Sequence, residues 1–231
     1  MELSILSAGA AKGLVQALKA DFQSSEGAAI SGSFGAVWTI KEQFDTGAPC
    51  DVVILTAKIL AELEAKGELI AGSVVPLGSV GTGVAVRTGA ATPAIAERDA
   101  LGASLRKAKA IYLPDPVRST AGIHFVEVLK KLGIYDDVQA KLQPFPNGAT
   151  AMAHMAQNTE GDVIGCTQVT EILYTKGVTL VGLLPKEFEL STLYAAGISR
   201  NAAHPELARK FIEELTGNQT QQLRADGGFN A

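Results

Sequence analysis

Residues 51–63, DVVILTAKILAEL, place an almost uninterrupted apolar run directly before a segment of helical period. An apolar run without alternation fits a parallel strand covered on both faces. Ile59, Leu60 and Leu63 then share one face of a helix. Upstream, Leu3 to Leu6 reads as a strand, and Leu14, Val15, Leu18 and Phe22 recur behind it at helical spacing. Ala28 to Phe34 is a second strand-like run, followed by Val37, Ile40 and Phe44 on a helix face. The order β-α-β-α-β predicts a parallel sheet with right-handed crossovers.

Downstream, Val74 to Val86 (VVPLGSVGTGVAV) is glycine-rich with no helical period, and reads as a pair of strands crossing between lobes. Ala110 to Leu113 is a strand broken by Asp115-Pro116. Ile123, Val126, Val128 and Leu129 predict a helix ending at Gly133, and Ala149 to Gln157 a helix of small residues. Val163 to Cys166 and Val178 to Leu183 read as strands, and Leu190 to Ser199 as a return crossing. Pro205 opens a last helix, whose stripe is Leu207, Phe211, Ile212 and Leu215. Crossings near residues 80–86 and 190–196 divide the chain into two α/β lobes. One is 1–82 with 194–231, and the other is 83–193. Ligands of such sheets lie beyond the carboxyl ends of the strands, so a cleft between the lobes is the expected site.

The composition agrees. The chain has 231 residues, 47% of them apolar and 19% charged, which is a globular balance. A net charge of −4 argues against a nucleic-acid partner. No apolar run reaches the ~18 residues a membrane span needs. The opening MELSILSAGAAKG has no basic n-region before a long apolar segment, so no signal peptide is visible. Met1 either opens a cytoplasmic chain or stands where a leader was removed. Cys50 and Cys166 are far apart and read as buried, reduced thiols. The three histidines have no paired spacing, so no metal is expected. The chain has no P-loop and no G-x-S-x-G elbow, and Gly81-Thr82-Gly83 lacks the third glycine of a dinucleotide turn. No cofactor is implied.

Five strand-to-helix turns carry the candidate chemistry. In the first, Ser7, Gly9 and Ala10 let a ligand approach the backbone, the helix start offers N–H groups to an anion, and Lys12 adds a cation. In the second, Ala36 opens a helix and Trp38 either closes over a ligand or packs between helices. The third is the most polar: Arg118, Ser119, Thr120 and Ala121 open a helix, and Arg can grip a carboxylate with two parallel hydrogen bonds. His124, one turn further in, is either a packed side chain or a base. The fourth turn is Phe145 to Ala149, and the fifth brings Thr167 and Gln168 to the end of a strand. Together they describe an anion cage built mainly of backbone amides.

SAGAAKGL (7–14), GSFGAVWTIKEQFDTGAPCDVVIL (32–55), PDPVRSTAGIHFVEVLKKLG (114–133) and the final Gly228-Phe229 follow one another in a known order. In that order the chain resembles the periplasmic molybdate-binding proteins, type II substrate-binding proteins of ABC transporters. The resemblance implies the two-lobe fold with a ligand cleft and a periplasmic location. It also implies serine hydroxyls where this chain has Ala10 and Ala36, and a tyrosine near Gln168, where none stands. The backbone donor near Ala121 carries over. Each hydrogen bond lost to a charged ligand costs ~1.5–3 kcal/mol, so losing three lowers affinity roughly 100-fold or more. The cleft therefore suits a larger anion, a di- or tricarboxylate, gripped by Lys12, Trp38, Arg118 and Gln168. The aconitate isomerases, an enzymatic branch resembling the molybdate binders, shift an allylic proton, and Lys12 or His124 is the base expected here. The alternatives are a binding protein that delivers a small anion to an ABC permease, and a cytoplasmic anion sensor.

Overall fold

The computed structural model describes residues 1–159 and 161–230, so Glu160 and Ala231, at points within the expected lobe ranges, lie outside the described residues. The chain divides into two compact units, residues 1–80 with 192–231, and residues 81–191.

The first unit alternates as its apolar pattern requires: β1 (Glu2–Ala8), α1 (Lys12–Glu26), β2 (Ala29–Gly35), α2 (Val37–Asp45), β3 (Val52–Thr56) and α3 (Ala57–Ala65). β1 pairs with β2 and with β3, both in parallel. Leu14, Val15, Leu18 and Phe22 are buried from α1, and every residue from Val52 to Leu55 is fully buried. The next strand, β4 (Val75–Arg87), begins in this unit and continues into the second. It is one strand of thirteen residues, not a pair of strands. Gly78 absorbs the irregularity at φ 137, where an added Cβ would lie 2.7 Å from the Asn230 carbonyl oxygen. The tail is seated there by reciprocal bonds, Ser79 N–H to Asn230 O at 2.7 Å and Asn230 N–H to Ser79 O at 2.8 Å. Phe229 is buried beside them, so the final Gly-Phe is a structural anchor.

The second unit contains α4 (Arg98–Lys107), β5 (Ala110–Pro114), α5 (Thr120–Lys131), α6 (Tyr135–Val138), β6 (Leu142–Phe145), α7 (Gly148–Gln157), β7 (Val163–Gln168), α8 (Val169–Tyr174) and β8 (Val178–Leu183). Its strands run in the order β4-β7-β5-β6, with β8 also on β4. β5 is parallel to both β6 and β7, while β4 is antiparallel to β7 and β8. The core on one face joins Leu101, Leu105, Ile111, Leu113, Phe125 and Val128, and the other joins Tyr112, Met152, Met155 and Ile172. The α5 stripe differs from the expected one. Phe125, Val128 and Leu129 are buried with Ala121 and Gly122, while Ile123 is 37% exposed. The sequence reading gave no element at α4, α6, β6 or α8, where apolar spacing is weak or the element short.

The chain returns through β9 (Ser191–Ile198), α9 (Pro205–Thr216) and α10 (Gln221–Asp226). β9 runs antiparallel to β3. Ala208, not Leu207, completes the buried stripe of α9 with Phe211, Ile212 and Leu215. Phe211 meets Phe22 edge-on at 5.0 Å between ring centroids. The return is fixed by Asp51, which is 2% exposed. Its Oδ2 accepts the Ser4 N–H at 2.8 Å and its Oδ1 the His204 N–H at 2.9 Å. Its own amide donates to Ser4 O at 2.8 Å and its carbonyl accepts from Ser199 N–H at 3.0 Å.

Among the described residues, no helix is long and apolar enough to cross a membrane, and no group of three or more His, Cys, Asp or Glu is placed to hold a metal ion. Cys166 is buried and Cys50 half-buried, and both are free. Burial pushes the Cys50 thiol up to about 12 and the Cys166 thiol higher still.

Two stability outcomes follow from the first unit. Asp51→Asn replaces an acceptor with an amide whose –NH₂ cannot serve a backbone donor. It should cost about 1.5–3 kcal/mol and lower Tm by roughly 3–9 °C in calorimetry. Glu214 behaves oppositely. Its carboxyl is raised above the usual carboxylate range, first by burial and then by Asp21 and Glu26. A raised pKa means the folded chain holds the proton more tightly than the unfolded chain. The charged form therefore costs stability above the folded pKa, and that cost is absent once pH falls below the unfolded value of 4.5. Glu214→Gln should raise Tm at pH 7 by about 1 °C, the partly exposed site being screened, and leave it unchanged at pH 3.

Candidate functional site

Within the first unit, the parallel register sets Ser7 beside Phe34 and Ala8 beside Gly35, so the turns after β1 and β2 leave one edge of the sheet as neighbours. Gly9–Ala11 forms a 3₁₀ turn feeding α1, and Ala36 precedes α2 in an extended conformation. Neither start carries a side-chain cap. Alanine cannot supply one, so no side chain competes for the first-turn N–H groups, although the Lys12 N–H donates to Gly9 O. The third helix of this edge differs: Thr56 caps α3 by accepting from Ile59 N–H at 3.5 Å.

The side chains fall into two groups. Ser7 is fully buried and donates its hydroxyl to Ala8 O at 2.9 Å, while Ala10 and Ala36 are buried at 4% and 5%. Lys12, the first residue of α1, is half-buried and engaged within the chain. Trp38 is 47% exposed on the first turn of α2, so it is not an interior side chain packed between helices.

In the second unit, the strand order β7-β5-β6 brings three turns to one sheet edge. After β5, Asp115 Oδ1 accepts the amides of Val117 at 2.7 Å and Arg118 at 2.9 Å, which shapes the loop into α5. Ser119 sits at the N-cap of α5 without capping it. Gly122 is obligatory: an added Cβ would lie 2.3 Å from Asp115 O and 2.4 Å from Pro114 O. That close approach sets the start of α5 directly over the end of β5. Ser119 and Ala121 are buried, Thr120 is half-buried, and Arg118 is exposed with a partner in the chain. His124 points its Nε2 at Phe188 O, 2.7 Å away, and so ties α5 to the segment before β9.

The turn after β6 is already filled. Asn147 Oδ1 accepts both the backbone N–H and the hydroxyl of Thr150 at 2.9 Å. Glu171, 5% exposed, accepts the Ala149 N–H at 3.3 Å and the Thr167 hydroxyl at 2.6 Å. The start of α7 thus holds an anion of its own, which suits the positive end of a helix. The hydroxyl proton of Thr167 is committed to that carboxylate. Gln168 is buried at the end of β7 and engaged within the chain. Glu171, Asn147 and Gly148 were not legible as a unit in the sequence. Only Asn147, three residues before Thr150, carried an N-cap signal.

Small-residue turns and helix starts without side-chain caps thus stand at the ends of β1, β2 and β5 of this α/β protein. The chain belongs to the bacterial extracellular solute-binding proteins, whose family model matches residues 3–230. It is 27% identical over 236 residues to an aconitate isomerase of a Pseudomonas species, covering 98% of this chain and 87% of that protein. It is 22% identical over 230 residues to the molybdate-binding protein ModA of Escherichia coli K12, covering 99% and 88%. Its fold is similar to the Azotobacter vinelandii periplasmic molybdate-binding protein, with TM-score 0.79, 19% identity, and 99% of both chains covered. It is also similar to Campylobacter jejuni PEB3 with L-phospholactate bound, with TM-score 0.70, 13% identity, and 99% of both chains covered.

The filled turn yields its own outcome. A Cβ on Gly148 would lie 1.9 Å from Thr167 Oγ1 and 2.0 Å from Glu171 Oε2. Gly148→Ala must therefore displace the buried carboxylate from α7. The expected cost is about 2–4 kcal/mol, read as a lower midpoint in chemical denaturation with an unchanged slope.

Proposed function

We propose that this chain takes a small di- or tricarboxylate in a cleft between two lobes, 1–82 with 194–231 and 83–193, and isomerises it by an aconitate-type allylic proton shift. The observation that carries the reading is the set of small-residue turns at Ala10, Ala36 and Ala121, where α1, α2 and α5 begin without a side-chain cap at the ends of β1, β2 and β5. At the turns after β1 and β2, where alanines stand in place of hydroxyls, the amides suit carboxylates of a larger ligand better than a compact oxyanion. Similarity to an aconitate isomerase over 98% of the chain supports the same ligand class.

In this mechanism the base removes a proton from the methylene next to the double bond. The electron pair delocalises toward a carboxylate, and a proton returns to the former vinyl carbon as the double bond moves. Charge building on that carboxylate is stabilised by the open amides of α1, α2 and α5 and by Arg118. Ser7 and Gly9 shape the first turn, Trp38 covers the ligand, and Ser119, Thr120, Thr167 and Gln168 line the other lobe. Lys12 or His124 carries the proton. Lys12 stands at the open start of α1, and His124 has Nδ1 left for the task once Nε2 is bonded to Phe188 O. The route uses no metal or cofactor.

The family membership favours a second reading, a periplasmic binding protein that delivers a small organic anion to an ABC permease. One experiment separates the two. Cis-aconitate is incubated with the protein in deuterated water and followed by NMR, alongside calorimetry with citrate, aconitate, sulfate and molybdate. Isomerisation with deuterium uptake is expected, lost in either Lys12→Ala or His124→Ala, whichever removes the base. Binding of a carboxylate without turnover establishes the transport reading. Micromolar molybdate binding with no carboxylate response overturns both. Arg118→Ala should weaken carboxylate binding at least tenfold, with Arg118→Lys recovering little.

A further inference from the structure

Threonines with a local acceptor use it in this chain. Thr175 donates to Glu171 O at 2.7 Å, Thr216 to Ile212 O at 2.7 Å, and Thr46 to Glu42 O at 2.8 Å. Thr82 and Thr170 do not. Both are buried, at 1% and 4% exposure, and the hydroxyl oxygen of each is without a hydrogen-bond partner. A buried hydroxyl left unpaired is costly; among the described residues Thr192 Oγ1 and Arg87 Nε are also buried without a partner, but only Thr82 and Thr170 adjoin Gln168.

Both adjoin Gln168 in the second unit, Thr82 across the sheet and Thr170 along the chain. In the antiparallel pairing of β4 with β7, Thr82 stands directly opposite Gln168. Directly opposed residues carry their side chains on one face of the sheet. Thr170 follows Gln168 by two residues, in the first turn of α8. Two residues before Gln168 on β7, Cys166 faces the same side and packs with Phe125 of α5. Thr82 and Gln168 therefore extend the α5 face of the sheet toward the end where α5 begins uncapped. Thr167, on the opposite face, has its hydroxyl bound to Glu171.

We infer that Thr82 and Thr170 supply the hydroxyls with which the second unit binds the carboxylate ligand, in place of the hydroxyl absent near Gln168. This rests on the proposed carboxylate function. A threonine hydroxyl both donates and accepts, so the pair takes a carboxylate oxygen or a ligand hydroxyl, and neither adds charge.

The test uses Thr82→Val and Thr170→Val in the full chain, read by calorimetric titration with citrate and with cis- and trans-aconitate, and by thermal unfolding without ligand. Valine keeps the shape and removes only the orphan hydroxyl. Unliganded Tm is expected to hold or rise in both variants, while affinity for the carboxylate that the wild-type chain binds falls about fivefold or more in each. Tm that holds or rises with unchanged affinity in both variants makes the hydroxyls mere packing and overturns the inference. A fall in Tm equally overturns it, since the hydroxyls then have partners in the chain. If the wild-type chain binds none of these carboxylates, the proposed function fails first and this assignment with it.

Discussion

The first unit is assembled from two distant pieces of chain, and the Asp51 carboxylate holds them together. It satisfies an amide from β1 and another just ahead of α9, from a position with almost no access to water. A hydrogen bond to a buried charge is stronger than one between neutral groups, and its loss leaves donors stranded. β9 can lie against β3 only if the turn behind it is fixed, and α9 can bring Phe211 onto Phe22 only from that turn. The aspartate of TGAPCDVVIL is thus a structural residue, although it belongs to one of the most recognisable segments of the chain.

Once the strands are fixed, the helix starts differ in how their first amides are satisfied. Every α-helix begins with N–H groups that lack partners inside the helix. This chain treats its helices unequally. Thr56 closes α3, and Asn147 with Glu171 closes α7, whereas alanines stand before α1 and α2, and Ser119 leaves α5 open. Gly122 sharpens the effect by letting α5 begin against the carbonyls of Pro114 and Asp115. Uncapped starts are a small cost to the free protein and a set of oriented donors for an anion.

The Glu171 carboxyl occupies the start of α7 from within the second unit, accepting the Ala149 N–H and the Thr167 hydroxyl. Within the first unit the corresponding turns carry the methyl groups of Ala10 and Ala36.

The sequence by itself determined the strands and helices of the first unit, because fully covered parallel strands need continuous apolar runs and their helices need a 3.6-residue stripe. Leu14 to Phe22 and Val52 to Leu55 show both patterns without ambiguity. It also determined which turns are made of small residues. The tertiary structure alone decided which helix starts stay open, since Glu171 reaches Ala149 from 22 residues away and nothing in either segment announces the contact. It alone made Ala208 rather than Leu207 the core residue of α9, and Ile123 a surface residue of α5. A helix face is chosen by what packs against it, and neighbouring apolar residues leave that choice to the rest of the fold. Trp38 follows the same rule: the sequence left it either closing over a ligand or packing between helices, and its position on the first turn of α2 leaves it half in water.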